Sequence, residues 1–153
     1  ASVWDQLVAA GAVPAGFAVY ESLRIQRGLP RWPVDMGERA FIHEMGLRDR
    51  VCSFTKGCYI GQEVINRMDT MGRVNKRLLG LASDGPLRAG DAVFVDDTQV
   101  GVVGSVAKRG DGSVALSILR KAAWEPGLTV SIQSGDRLGS ATVVSLPMTE
   151  VTV

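Results

Sequence analysis

The sequence predicts an α+β protein in which a helical first part, residues 1–72, precedes a small antiparallel β-barrel, residues 73–153. Two observations carry this reading. Apolar residues recur with a helical period up to Gly72 and with a period of two beyond it. Three turn signals, Asp96-Asp97, Gly110-Asp111-Gly112 and Ser134-Gly135-Asp136, then cut the second part into short strands. Short strands at this spacing favour closure, because a closed barrel leaves no exposed edge.

Each element has its own signal. Val3, Trp4, Leu7 and Val8 follow the spacing of a helix that Gly11 and Pro14 end. A second helix is predicted over 15–27, with Phe17, Tyr20 and Arg24 along one stripe and Ala18, Ser22 and Ile25 along the next; Gly28 and Pro30 stop it. Residues 31–34 are expected to be extended, since proline moves the residue before it out of the helical region. Asp35 and Glu38 have capping-box spacing and predict a short turn around Ala40 and Phe41. Residues 43–56 show no sustained period and read as a surface loop. Lys56-Gly57-Cys58-Tyr59-Ile60-Gly61-Gln62-Glu63 then reads as a glycine-bearing loop feeding a helix that ends near Gly72, with Val64, Ile65 and Met68 at helical spacing. Strands are predicted at 77–82, 92–95, 99–107, 113–119, 128–133 and 139–146. The first 72 residues would bury too little to stand alone, so they either pack on the barrel or end a larger domain, and the second reading is preferred.

Composition narrows the function. A 46% hydrophobic, 22% charged chain can bury a core, which excludes a disordered tail. Seventeen Lys+Arg against sixteen Asp+Glu leave a net charge of +1, so global charge signals neither nucleic acid nor membrane. No apolar run approaches the ~18–20 residues that span a bilayer, and no signal peptide is legible. Two cysteines are too few for a secreted disulfide scaffold, which points to a reducing compartment: the cytoplasm, or the mitochondrial matrix in a eukaryote.

Cys58 is the sharpest chemical candidate. Gly57 and Gly61 permit turns closed to other residues, and both Lys56 and the following helix N-terminus favour thiolate over thiol. A small buried hydrophobe is the competing reading. Gln62 and Glu63, in the first helical turn, either bind a polar ligand or cap the helix. Cys52, between Val51 and Ser53, reads as a packing residue. With one histidine and two cysteines the chain has no metal-ligand spacing, so no metal is expected. His43 reads as an exposed loop histidine sooner than as the base of a Cys–His pair. The glycines around Cys58 do not form a phosphate-binding loop. Arg67, Arg73, Lys76 and Arg77 form a basic cluster that can meet RNA phosphates or a ligand carboxylate, though a solvated rim is the commoner use. Base stacking on the barrel is disfavoured, as Phe94 is its one clear strand aromatic. Trp4, Trp32 and Trp124 are expected in the core or between domains.

Lys56-Gly57-Cys58-Tyr59-Ile60-Gly61-Gln62-Glu63 resembles the K-G-C-[YF]-x-G-Q-E signature of YgfZ-type proteins, which belong to the folate-binding aminomethyltransferase (glycine-cleavage T-protein) superfamily. Upstream, residues 16–28 resemble the family's G-x-x-A-x-x-x-L-R-I-E-x-G helix; downstream, residues 72–80 resemble the start of its C-terminal barrel. Family members are considerably longer. The resemblance therefore implies that residues 1–72 are the end of a folate-binding α/β domain whose N-terminal half is missing here. It also implies binding of tetrahydrofolate or a one-carbon derivative. Support of iron–sulfur enzymes or assembly factors is implied too, with an indirect link to tRNA modification and with Cys58 as the required thiol. Lys56, Gly57, Tyr59, Gly61, Gln62 and Glu63 would shape its loop, and Arg24 and Gln26 would meet the cofactor. Gln26 departs from the usual glutamate, whose two acceptor oxygens an amide cannot copy. The alternative from the same family is a tetrahydrofolate-dependent aminomethyltransferase of the glycine cleavage system, against which the cysteine loop argues.

Overall fold

A computed structural model describes residues 2–38, 40–72 and 74–148. Four helices come first: α1 (Val3–Ala9), α2 (Phe17–Gln26), α3 (Arg48–Val51) and α4 (Gln62–Met71). Six strands follow: β1 (Lys76–Ser83), β2 (Ala92–Val95), β3 (Thr98–Arg109), β4 (Gly112–Arg120), β5 (Thr129–Ser134) and β6 (Arg137–Val144). They close into a barrel in the order β1-β4-β3-β2-β5-β6, every neighbouring pair antiparallel.

Strand alternation explains the two apolar clusters. One face of the strands fills the barrel, where Leu79, Leu81, Val93, Val103, Leu119, Val130 and Val143 meet. The other face of β3 and β4 is covered by α2, whose Ile25 shares a buried cluster with Leu78, Ala107, Val114, Leu116 and Met148. Because both its faces are covered, β4 is buried without interruption from Ser113 to Ser117 instead of alternating. Gly104 on β3 allows this close approach, for a Cβ there would lie 2.5 Å from the Asp35 carboxylate.

The predicted strands and all three turns are present, with β6 starting two residues earlier and ending two earlier than expected. The first part differs more. Residues 32–35 turn instead of extending: the Asp35 N–H donates to the Arg31 carbonyl (2.9 Å), and the Trp32–Pro33 peptide is cis. Residues 43–56 are not one open loop, since turns and α3 occupy much of them and Met45 is buried. Trp124 packs on the barrel and donates from Nε1 to the Leu119 carbonyl (2.8 Å). Trp4 and Trp32, expected in the core or between domains, are more than half exposed and so lie outside the core of the described residues. They belong to a group of exposed apolar side chains in the first part that includes Leu7, Phe17, Tyr20, Leu23, Phe54 and Ile60; neither α1 nor α4 buries any residue fully.

Candidate functional site

The loop before α4 presents Cys58 to solvent as a free thiol, while Cys52, also free, is half-buried. Gly61 explains how the chain leaves the loop. It sits in the left-handed region (φ +87°) at the N-cap, from which its carbonyl accepts the first helical bond from Ile65 (3.1 Å). Gly57 does not use its freedom, as its φ is not positive, so the expectation of two special turns reduces to one. The Lys56 ammonium lies 5.0 Å from the centre of the Tyr59 ring, a cation–π distance that folds it back over the segment bearing Cys58. The Tyr59 hydroxyl is sealed from solvent with no hydrogen-bond partner. Gln62 and Glu63 open α4; Glu63 pairs with Arg67 (3.1 Å) on the exposed surface, and no side chain caps the helix.

Arg24 is elsewhere, at the joint between α2 and the barrel, and 4% exposed. Its five N–H groups all have acceptors. Nε and Nη2 reach Glu21 (3.0 and 2.6 Å), Nη1 reaches the Leu29 carbonyl (3.1 Å) and Asp35 (2.9 Å), and Nη2 also reaches the Ser105 hydroxyl (2.6 Å). Asp35, expected to start a short turn around Ala40 and Phe41, is instead the acceptor at the centre of this joint. Its carboxylate takes the Ser105 N–H (2.6 Å) and hydroxyl (2.8 Å) and the Arg31 N–H (2.9 Å) besides Arg24. Gln26 donates to the Ser22 hydroxyl (3.0 Å) within α2. In this arrangement all donors of Arg24, and one N–H of the Gln26 amide, are taken by neighbouring groups.

The joint sets a pH dependence. The Glu21 carboxyl is held below its ordinary value of 4.5, first by the Arg24 hydrogen bond, against burial, with help from the charges of Arg24 and Arg31. A depressed folded value means that the ionised form favours folding. That contribution is complete above the ordinary value and is lost as pH falls through the lower one. Stability measured against pH is therefore expected to decline below about pH 4.5, and Glu21→Gln to flatten that decline. An unchanged acid profile in the variant would remove Glu21 from this account.

His43, read as an exposed loop residue, has a side chain only 8% exposed, with Nε2 3.8 Å from Asp69 on α4. Asp69 is gripped by Arg48, which holds its carboxyl below the usual range. The ordering of 41–51 buries this histidine, and its weak sequence signal gave no hint of that. Of the basic cluster, Arg67, Lys76 and Arg77 are exposed, and Arg73 lies outside the described residues. Among the described residues no group of three His, Cys, Asp or Glu side chains could hold a metal ion, and no helix is long and apolar enough to cross a membrane. Two clefts of about 750 Å³ flank the barrel: one at its mouth, the other between residues 33–44 and β3–β4. The Cys58 loop lines neither.

Comparison with known proteins agrees with this architecture. Residues 76–149 match the glycine cleavage T-protein C-terminal barrel domain. A chloroplastic protein of Arabidopsis thaliana, provisionally named a transferase, is 37% identical over 133 residues, covering 86% of this chain and 31% of that protein. The mitochondrial iron–sulfur cluster assembly factor IBA57 of Mus musculus is 34% identical over 106 residues, covering 66% of this chain and 30% of that one. The crystal structure of the glycine cleavage system aminomethyltransferase T from Bartonella henselae superposes with a TM-score of 0.76 at 26% identity, over 89% of this chain and 39% of that one. The chain thus spans about a third of the length of the curated relatives named here. The closed six-stranded barrel is thus similar to the glycine cleavage T-protein C-terminal barrel domain that residues 76–149 match.

Proposed function

We propose that this chain is the C-terminal part of a folate-binding accessory protein that supports iron–sulfur cluster assembly or repair, including that of iron–sulfur enzymes acting on tRNA, with Cys58 as its functional thiol. The observation that carries the reading is the exposed Cys58 in the K-G-C-Y-I-G-Q-E loop ahead of α4, with the Lys56 ammonium folded over Tyr59 beside it. The likeness to a mitochondrial iron–sulfur cluster assembly factor supports it. Residues 1–72 would complete a domain whose preceding half covers Trp4, Leu7, Phe17, Tyr20 and Leu23, which are exposed here. Tetrahydrofolate, or a one-carbon derivative, would be bound mainly by that half, since all five donors of Arg24 are already engaged. A second reading, tetrahydrofolate-dependent aminomethyl transfer, is favoured by the likeness to the Bartonella henselae enzyme. Formation of methylene-tetrahydrofolate by the full-length protein with a lipoylated carrier would promote it.

The test is alkylation of the two cysteines across pH, resolved by peptide mass spectrometry. Cys58 is expected to react at least about tenfold faster than Cys52 at neutral pH. At that pH it should also react faster than an unstructured thiol peptide, and Lys56→Met should reduce that difference. A Cys58 that reacts like the reference peptide, or is protected, overturns the thiol role.

A further inference from the structure

We propose that the barrel mouth binds a small ligand through a carboxylate or phosphate group held between Arg109 and Arg137. The cleft there, about 750 Å³, lies among the β1–β2 loop, the β3–β4 turn and the β5–β6 hairpin. Arg109 is the last residue of β3 and Arg137 the first of β6, so two strand ends deliver guanidinium groups to one cleft. Neither has a carboxylate within 4.0 Å among the described residues. Arg137 makes one long bond, from Nη2 to the Pro86 carbonyl (3.4 Å). Arg109 Nη1 is sealed from solvent and has no acceptor at all. This contrasts with Arg24, which satisfies all five of its donors within the same molecule.

A buried guanidinium nitrogen without an acceptor is costly, and an incoming oxyanion would recover that cost. Arg109 lies at the end of β3 and lines the cleft, so its guanidinium is placed to meet an anion bound there. Ser134, Ser140 and Thr142 contribute hydroxyl groups to the same cleft. Three aspartates also line it and set its selectivity. Asp91 is buried and accepts the Arg88 N–H (2.8 Å), whereas Asp84 and Asp111 are exposed at the rim. Rim carboxylates repel an extended polyanion such as RNA and leave room for a single anionic head group.

The experiment titrates the 153-residue chain with sodium phosphate and, separately, with sodium succinate, holding ionic strength constant with chloride. Amide shifts and the thermal midpoint are followed. Saturable shifts confined to residues 109–113 and 134–142 are expected with at least one anion, and the anion that saturates identifies the head group. Arg109→Lys, which keeps the charge but loses the fork, and Arg137→Gln should each weaken binding about tenfold. If Arg109→Lys does not fold, Arg137→Gln decides alone. Responses equal to those of chloride, or variants that bind like the unaltered chain, overturn the site.

Discussion

Asp35→Ala is expected to destabilise the chain by about 3–5 kcal/mol, the loss seen when one partner of a buried ion pair is removed. The magnitude follows from what the carboxylate holds. Its side chain is fully buried, and it accepts from Arg24, from the Arg31 N–H, and from both the N–H and the hydroxyl of Ser105. Alanine leaves the Ser105 N–H without its acceptor and leaves Arg24, itself 4% exposed, with Glu21 as its sole carboxylate partner. The effect should be concentrated at the joint. In urea unfolding, signals from α2 should change before those of Trp124, which packs on the barrel. Asp35→Asn keeps the shape and one acceptor oxygen, so it should fall between alanine and the unaltered chain. A loss below about 1 kcal/mol for alanine would mean that apolar packing alone holds α2 in place.

The same joint shows what the sequence could and could not reveal. The barrel was legible because its information is local: alternation along each strand and turn residues between strands specify the hairpins 92–109, 98–120 and 129–144 directly. The Cys58 loop was legible for a similar reason, as Gly61 marks the left-handed residue that starts α4. Asp35 was misread because its four-residue neighbourhood supplies a perfectly good capping pattern, while its true donors lie up to 70 residues away. Arg24 meets Ser105 across 81 residues. His43 failed in the same way, since its burial beside Asp69 on α4 is set 26 residues away. Trp4 and Trp32 were expected in the core or between domains, and the core is excluded. They are exposed because residues 1–72 offer the barrel one helix face, and among the described residues nothing covers the rest of their apolar surface.

Ile25→Ala tests that division of α2 into a used and an unused face. Ile25 is fully buried among Leu78, Val114, Leu116 and Met148, so truncation removes three carbon atoms from a packed site and should cost about 2–5 kcal/mol. Leu23 and Phe17 lie on the same helix, are as apolar, and are 51% and 65% exposed. Leu23→Ala and Phe17→Ala should each change stability by less than about 0.5 kcal/mol in this chain. Helix propensity cannot produce the contrast, because alanine is the best helix former at all three positions. Equal losses at Ile25 and Leu23 would mean that α2 sits on the barrel differently from the packing described. If the contrast holds, repeating Leu23→Ala in a longer protein that carries the proposed preceding segment distinguishes a covered face from a solvent face. A cost that rises from near zero to about the 2–5 kcal/mol of a core truncation would place the proposed contact on α2. A cost that stays near zero sends that contact to α1 or α4 instead.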